Sequence, residues 1–344
     1  MNKNAILSDK KRCFIIAEAS ANHGQNLNRA VAMIKKAKEC GADAIKFQCY
    51  TPDTLTINCE NKYFRIEHPR WGGQTLYRLY QKAYTPWKWF KKLKRIADDL
   101  GIIFFATAFD RTSVDFLEEL NVPFHKIASF ELTDLPLIEY AAKTKKPLII
   151  STGMATLTEV KEAVDTAKKA GAKEVILLKC VSSYPAKPEQ MNIQTMADLK
   201  KRFRVSVGLS DHTLRVGVSI AAVALGAQII EKHFTLSRKI KTPDSFFSIE
   251  PEELKYLVEN VRVVEKAIGK VYYGLTDNEK LNQIFRRSLF VIEDIKKGEI
   301  CTEKNIKSIR PGYGISPKFF KEVLTKKAAV DINKGIPLNW KMIN

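Results

Sequence analysis

Between residues 14 and 234 the sequence alternates eight times between a short apolar, β-branched stretch and a longer stretch of helical period. No other feature constrains the fold as strongly. Adjacent parallel strands cannot be joined by a tight turn and need a crossover of a dozen or more residues, usually a helix, so the pattern specifies βα units and a parallel sheet. The strand segments are FIIAEAS (14–20), ADAIKFQ (42–48), IIFFATA (102–108), FHKIASF (124–130), PLIISTG (147–153), EVILLKCVS (174–182), VSVGLSDH (205–212) and AQIIEKHF (227–234). Helical stretches such as NRAVAMIKKAKECG and LTEVKEAVDTAKKAG follow their strands and stop at Gly, a common helix terminator. Eight units close a barrel. An open doubly wound sheet is the alternative, but no glycine-rich dinucleotide fingerprint follows any strand. The expected fold class is α/β, a (β/α)8 TIM barrel.

At 344 residues the chain exceeds the roughly 250 that such a barrel takes. After PEELKYLVENVRVVEKAIGK the pattern changes, and YYGLTDNEKLNQIFRR reads as a linker into a second unit. There, Asp294-Ile295-Lys296-Lys297-Gly298 is echoed by Asp331-Ile332-Asn333-Lys334-Gly335, two similar turns that predict a compact, mostly β module. The expected boundaries are 1–272 for the barrel, 273–285 for the linker and 286–344 for the module. So small a unit is near the lower limit of independent folding and is expected to lean on the barrel or on a second subunit. Residues 50–90, between the second and third strands, form an unusually long connection, which predicts a lid or binding element.

The net charge of +19 is compatible with nucleic acid, an anionic surface or an anionic small substrate. The excess is spread along the chain with no Arg-rich block, zinc finger or RNP-like aromatic motif, so neither nucleic acid nor membrane is an expected partner. The six cysteines are scattered without CxxC pairs, which fits reduced thiols, and no chemistry is assigned to them. No apolar run is long enough to span a membrane, and the amino terminus lacks an apolar signal core; the expected compartment is the cytoplasm.

Barrel enzymes place their sites at the carboxyl ends of the strands, and polar residues collect there. Residues two apart on a strand share a face, so Lys46 with Gln48, Ser210 with His212, and Glu231 with His233 can each point into the barrel mouth. His212 and His233 end neighbouring strands in a chain with five histidines. Two imidazoles with open remaining positions suit a divalent ion, Mn²⁺ first, with Mg²⁺ or Co²⁺ as alternatives. Lys126 with Thr107, Ser129, Ser151 and Ser182 supplies the cation and hydroxyls that a phosphate plus carboxylate would need. Glu18 is a carboxylate on an otherwise apolar strand, which points to catalysis.

The ordered motifs AEASANHG, IKFQCYTPDTL, TAFD, HKIASFEL, STGMAT, GLSDHT, EKHFT and, in the tail, IKSIRPGYGI resemble the sialic acid synthase family over nearly the whole chain. The tail is similar to that family's antifreeze-like SAF domain. Within the family, YRLYQKAYTPWKW and TPDSFFSIEPEEL look more like the pseudaminic acid branch than the N-acetylneuraminate branch. The resemblance implies a transferase that condenses phosphoenolpyruvate, 2,4-diacetamido-2,4,6-trideoxy-L-altrose and water to pseudaminic acid and phosphate.

By that resemblance His212 and His233 bind the metal, and Lys126, Thr107, Ser129, Ser151, Ser182, Tyr184 and Ser210 surround phosphoenolpyruvate. Glu18, Lys46, Gln48, Glu131 and Asp244 line the reacting and sugar sides. Arg310 reaches a neighbouring subunit's site, which implies a domain-swapped homodimer. Two departures from the family pattern stand out: Ser182, where neuraminate synthases carry Asn, and Lys88 with Phe90, where an acidic residue and His are expected. Competing readings are the same chemistry giving legionaminic or N-acetylneuraminic acid, an aldolase- or heptulosonate-type barrel, and a basic binding protein without catalysis.

Overall fold

The computed structural model describes residues 12–68 and 70–344. Eight parallel strands form a closed barrel in sequence order: β1 (Phe14–Glu18), β2 (Ala44–Cys49), β3 (Ile103–Ala108), β4 (His125–Ile127), β5 (Leu148–Ser151), β6 (Val175–Cys180), β7 (Ser206–Asp211) and β8 (Ile229–His233). The crossover helices are α1 (Leu27–Glu39), α4 (Trp87–Leu100), α5 (Arg111–Glu119), α6 (Leu135–Ala142), α7 (Leu157–Lys169), α8 (Thr195–Phe203), α9 (Gly217–Ala224) and α10 (Pro251–Ile268), while α2 (Pro52–Leu55) and α3 (Leu76–Ala83) lie in the long second connection.

Strands buried on both faces read as continuous apolar runs, and β1, β4, β5 and β8 are buried at every position. The α1 and α7 helices each begin with a side-chain cap, Asn26 accepting from the Arg29 N–H and Thr156 from the Glu159 N–H, which satisfies one orphan donor at each start. Their apolar stripes, such as Val160, Ala163, Val164 and Ala167, pack onto the sheet. Gly208 on β7 has no room for a side chain, since an added Cβ would lie 2.3 Å from the Ile229 carbonyl oxygen on β8. Substitution there must displace backbone rather than a mobile side chain.

The fourth strand is shorter than the sequence pattern suggested. Its ladder ends at Ile127, and Ser129–Glu131 forms a 3-10 turn, because Ser129 bends inward to accept the Gly153 N–H at 3.0 Å. Apolar patterning registers burial and is blind to this bend. Residues 50–90 are not a bare loop: Arg65 and Thr75 form an antiparallel bridge between short helices, and the segment from Trp87 already belongs to α4. On that helix Phe90 is buried against Phe104 and Phe116, whereas Lys88 is exposed.

The chain divides into two compact units, the first ending at Gly269 and the second running from Lys270 to Asn344. Residues read as linker contain α11 (Asp277–Asn282) and a 3-10 turn, Gln283–Phe285. The second unit pairs β9 (Ser288–Val291) with β10 (Ile306–Ile309) in antiparallel register and also carries α12 (Phe320–Val323). Its repeated turns are symmetric partners. Ile295 and Ile332 exchange both backbone hydrogen bonds, at 2.9 and 2.8 Å. Asp294 accepts from the Lys334 N–H at 2.7 Å, and Asp331 from the Lys297 N–H at 2.8 Å. Each repeat thus caps the other, around a core that includes Leu289, Ile306 and Leu338.

Candidate active site

A cavity of about 340 Å³ opens at the carboxyl ends of the barrel strands. Its floor follows from register. Glu18 pairs with Lys46 on one side and with His233 on the other, Gln48 with Thr107 and Thr107 with Lys126, Cys180 with Ser210 and Ser210 with Glu231. Neighbouring strands therefore deliver these side chains to one ring.

Within the ring, Lys46 Nζ lies 2.6 Å from Glu18 Oε2 and 3.7 Å from Glu231 Oε1, and donates to Thr107 Oγ1 at 2.8 Å. The Glu18 contact is an ion pair without hydrogen-bond alignment, and both Glu18 oxygens lack a hydrogen-bond partner. Burial pushes the Glu18 carboxyl up to about 7, with Lys46 opposing. Burial works against the Lys46 charge, but Glu18 and Glu231 outweigh it and raise that ammonium. Burying this many charges costs several kcal/mol per ion unless each is compensated, and unsatisfied carboxylate oxygens at a cavity floor mark a functional site.

Beside this group, Lys126 Nζ donates to Ser151 Oγ at 2.7 Å and to the Ile127 carbonyl at 2.9 Å. Burial lowers its ammonium pKa. Ser129 and Gly153 join it, and an added Cβ on Gly153 would meet Ser182 Oγ at 2.2 Å and Ser129 Oγ at 2.7 Å. The result is a compact set of hydroxyls around one cation, with the Gly153 N–H spent on holding Ser129 Oγ, and it is suited to an anion. Ser182 does not line the cavity itself; its hydroxyl sits behind Gly153, buried and without a partner.

The two imidazoles lie edge to face, 5.2 Å between ring centroids. His212 Nδ1 lies 2.8 Å from the Val181 carbonyl oxygen, which can only accept, so that nitrogen carries the proton and Nε2 keeps its lone pair. Burial, then the neighbouring His212, holds His233 well below the usual imidazole range, and its Nδ1 is buried without a partner. Burial works against charge on His212, but Cys180 and the Val181 carbonyl outweigh it and raise its pKa; when both rings are neutral, their lone pairs fit a divalent ion. Among the described residues no group of three or more His, Cys, Asp or Glu side chains is arranged to hold one, so an ion there would keep positions for water and substrate oxygens. The Tyr184 ring lies tilted 4.4 Å from His212, and Phe247 lies 4.8 Å from His233, walling the pair from bulk water.

Behind the floor, Lys232 Nζ pairs with Asp211 Oδ2 at 2.9 Å and donates to the Thr213 carbonyl at 2.6 Å. Alternation along the strands points these two outward while their neighbours His212 and His233 point inward. The ion pair ties the two histidine-bearing strand ends together.

Gln48 donates to Ser20 Oγ at 3.1 Å. Ser20 in turn donates to Asp244, whose carboxyl is raised by burial. Glu131 lines the cavity with one oxygen unpartnered, and burial pushes it up to about 7. All expected site residues thus line the cavity except Ser182 and Arg310; Arg310 is exposed in the second unit, just after β10. Several lining residues had no sequence assignment. Cys180, its Sγ 3.8 Å from His212 Nδ1, was visible in principle, because it stands at the carboxyl end of β6 beside Ser210. Trp71 and Tyr80 carried no strand-end signal, whereas Phe109 directly follows β3.

The 3-10 turn Ser20–His23 serves the frame. Asn22 donates to the Phe234 carbonyl and to Ser248 Oγ, while His23 bonds Thr85 at 3.0 Å and is lowered to about 4 by burial. The lid is pinned by Trp71, whose Nε1 donates to the Pro243 carbonyl at 3.0 Å and whose ring lies 5.8 Å from Tyr184.

A barrel with an anion cradle and a histidine pair at its mouth, followed by a small β unit, defines a class that comparison makes specific. The NeuB family model matches residues 33–273 and the SAF domain model residues 286–344, so the chain belongs to the NeuB family. It is 44% identical over 325 residues to the pseudaminic acid synthase of Campylobacter jejuni, covering 94% of this chain and 95% of that protein. It is 37% identical to the N,N'-diacetyllegionaminic acid synthase of Legionella pneumophila, covering 96% and 94%. Among solved structures, the N-acetylneuraminic acid synthetase of Leptospira borgpetersenii superposes with a TM-score of 0.71 at 36% identity, over 79% of this chain and 90% of that one.

Proposed function

We propose that the chain is a pseudaminic acid synthase, condensing phosphoenolpyruvate with 2,4-diacetamido-2,4,6-trideoxy-L-altrose and water. The observation that carries this reading is the adjacency, in one cavity, of the Lys126–Ser151–Ser129 cradle, the Glu18–Lys46 pair and the His212–His233 pair. The particular sugar rests on the 44% identity to the Campylobacter enzyme, against 37% to the legionaminic one.

In this reading Lys126 and the hydroxyls of Thr107, Ser129, Ser151 and Ser210, with Tyr184, hold phosphoenolpyruvate, while Ser182, expected among them, stays behind the cavity wall. His212 and His233 would hold Mn²⁺, which when bound supplies Lewis acidity toward the sugar aldehyde. The enol carbon of phosphoenolpyruvate bonds to the aldehyde carbon as the carbonyl π electrons move onto oxygen, which ends as a hydroxyl with the proton that Glu18 takes from the added water. Glu18, half-ionised near pH 7, takes a proton from the water that adds at the former enol carbon. The carbon–oxygen bond to the phosphoryl group then breaks and phosphate leaves, its charge met by Lys126. Lys46 steadies the developing oxyanion, and Gln48, Glu131 and Asp244 orient the sugar. Arg310 would act in the site of a partner subunit, making the enzyme a domain-swapped homodimer. We place the reaction in the cytoplasm.

Phosphate release from phosphoenolpyruvate tests the reading, with the trideoxy-altrose, the legionaminic precursor and N-acetylmannosamine compared with and without chelator, Mn²⁺, Mg²⁺ or Co²⁺. Preference for the altrose and restoration by Mn²⁺ are expected; faster turnover of another sugar would reassign the product. With ¹⁸O at the bridging position of phosphoenolpyruvate, carbon–oxygen cleavage carries the label into phosphate. Sedimentation showing a fully active monomer would remove the swapped role of Arg310.

A further inference from the structure

The α3 helix presents an apolar stripe outside the barrel's hydrophobic core, with the Tyr80 ring edge-on to Tyr50 at 5.6 Å. Leu76, Leu79, Tyr80 and Ala83 recur at i, i+3, i+4 and i+7, the spacing of one helical face. All four line the cavity, and none belongs to the barrel's hydrophobic core or packs against it. The opposite face is occupied within the lid: Tyr77 donates to Asp53 at 3.0 Å, Arg78 pairs with Glu60 at 2.9 Å and Lys82 donates to Gln74 at 2.9 Å. Ile66 and Trp71 extend the apolar surface. Because the Trp71 indole N–H is already committed to the Pro243 carbonyl, that side chain offers the cavity only ring surface.

The cavity is therefore two-faced, charged at the strand ends and apolar under the lid. Phosphoenolpyruvate, an anion on nearly every side, belongs wholly to the charged floor. We infer that the α3 stripe with Ile66 and Trp71 is a specificity wall that receives the C6 methyl group of the acceptor sugar. This rests on the substrate proposed above. With the aldehyde carbon held at the floor, C6 is the far end of the extended carbon chain and points to the lid. Each acetamido group carries a donor and an acceptor that need partners, whereas C6 carries none and suits the part of the wall made by Leu76, Leu79 and Ile66, which offers none. A hydroxyl added at C6 would be buried there unpaired, and apolar pockets reject an added hydroxyl by about 10²-fold in kcat/KM.

The test measures kcat/KM for 2,4-diacetamido-2,4,6-trideoxy-L-altrose and for its 6-hydroxy counterpart in the wild type, Leu79→Asn and Leu76→Thr, with thermal melting to confirm folding. The wild type is expected to favour the 6-deoxy sugar by about 10²-fold. In each folded variant the ratio should fall to about 10 or lower, through a higher KM for the deoxy sugar and with the KM for phosphoenolpyruvate unmoved. Either variant suffices if the other does not fold. An unchanged ratio in a folded variant overturns the wall and leaves the substrate proposal standing. A wild type that prefers the 6-hydroxy sugar, or turns over neither, overturns both.

Discussion

The floor and the roof of the cavity are built from different kinds of chain. Floor side chains sit on strands hydrogen-bonded on both sides, so Glu18 is held between the Lys46 and His233 strands. The roof hangs on a connection of short helices closed by one antiparallel bridge and by the Trp71 hydrogen bond. A ladder fixes side chains to within the tolerance that bond-making chemistry needs. A lid stabilised by few contacts can be remodelled without disturbing that chemistry. The floor is thus suited to a reaction shared by a family, and the roof to the choice of substrate.

Substitutions on the two walls should differ in both size and kind of effect. His233→Ala should lower kcat by about 10³-fold or more, and calorimetric titration with Mn²⁺ should show lost or greatly weakened binding. Full turnover after exhaustive chelation would break the assignment of the pair. Glu18→Gln is expected to cost about 10²–10⁴-fold in kcat and to abolish an acidic limb near pH 7 in the kcat profile, the value to which burial raises this carboxyl. Retention of that limb in the variant would assign it to another group.

On the roof, Trp71→Ala should cost only about 10-fold, mainly as a raised KM for the sugar, because it loosens the lid and leaves the floor intact. A loss confined to kcat would mean that the lid shapes the chemistry after all.

The smallest effect expected is on stability. Burial raises the Glu131 carboxyl to about 7, with Lys126 opposing, so the folded protein holds that proton more tightly than the unfolded chain. The resulting stabilisation is full below the ordinary carboxyl range and is lost as pH rises through about 7. Glu131→Gln removes this dependence, so between pH 5 and pH 8 the variant should gain on the wild type by on the order of 1–2 kcal/mol, read from urea unfolding. Parallel curves across that range would show that Glu131 stays ionised.

Strand alternation also explains which parts of the site could be read in advance. Lys46 with Gln48, Ser210 with His212, and Glu231 with His233 were assignable because two residues along a strand return to the same face, and all six line the cavity. Cys180 also ends its strand, beside Ser210, and escaped because its residue type suggested no chemistry. The roof escaped for a different reason. The stripe on α3 is indistinguishable in sequence from one that packs on a core, and only its neighbours reveal that it faces a cavity. Phe90, singled out in the sequence as a departure from the family pattern, packs against Phe104 and Phe116.

By itself the sequence determined the barrel, its strand order, the polar strand ends and the repeated turns of the second unit, all of which follow from short-range periodicity and local turn chemistry. Tertiary structure alone decided that Ser129 bends in to meet Gly153, that Ser182 lies behind the cradle, that Asp211 and Lys232 lock the histidine strands, and that α3 turns its apolar face to a cavity. Those outcomes depend on which distant segments meet, and a local pattern carries no record of its partner across the barrel.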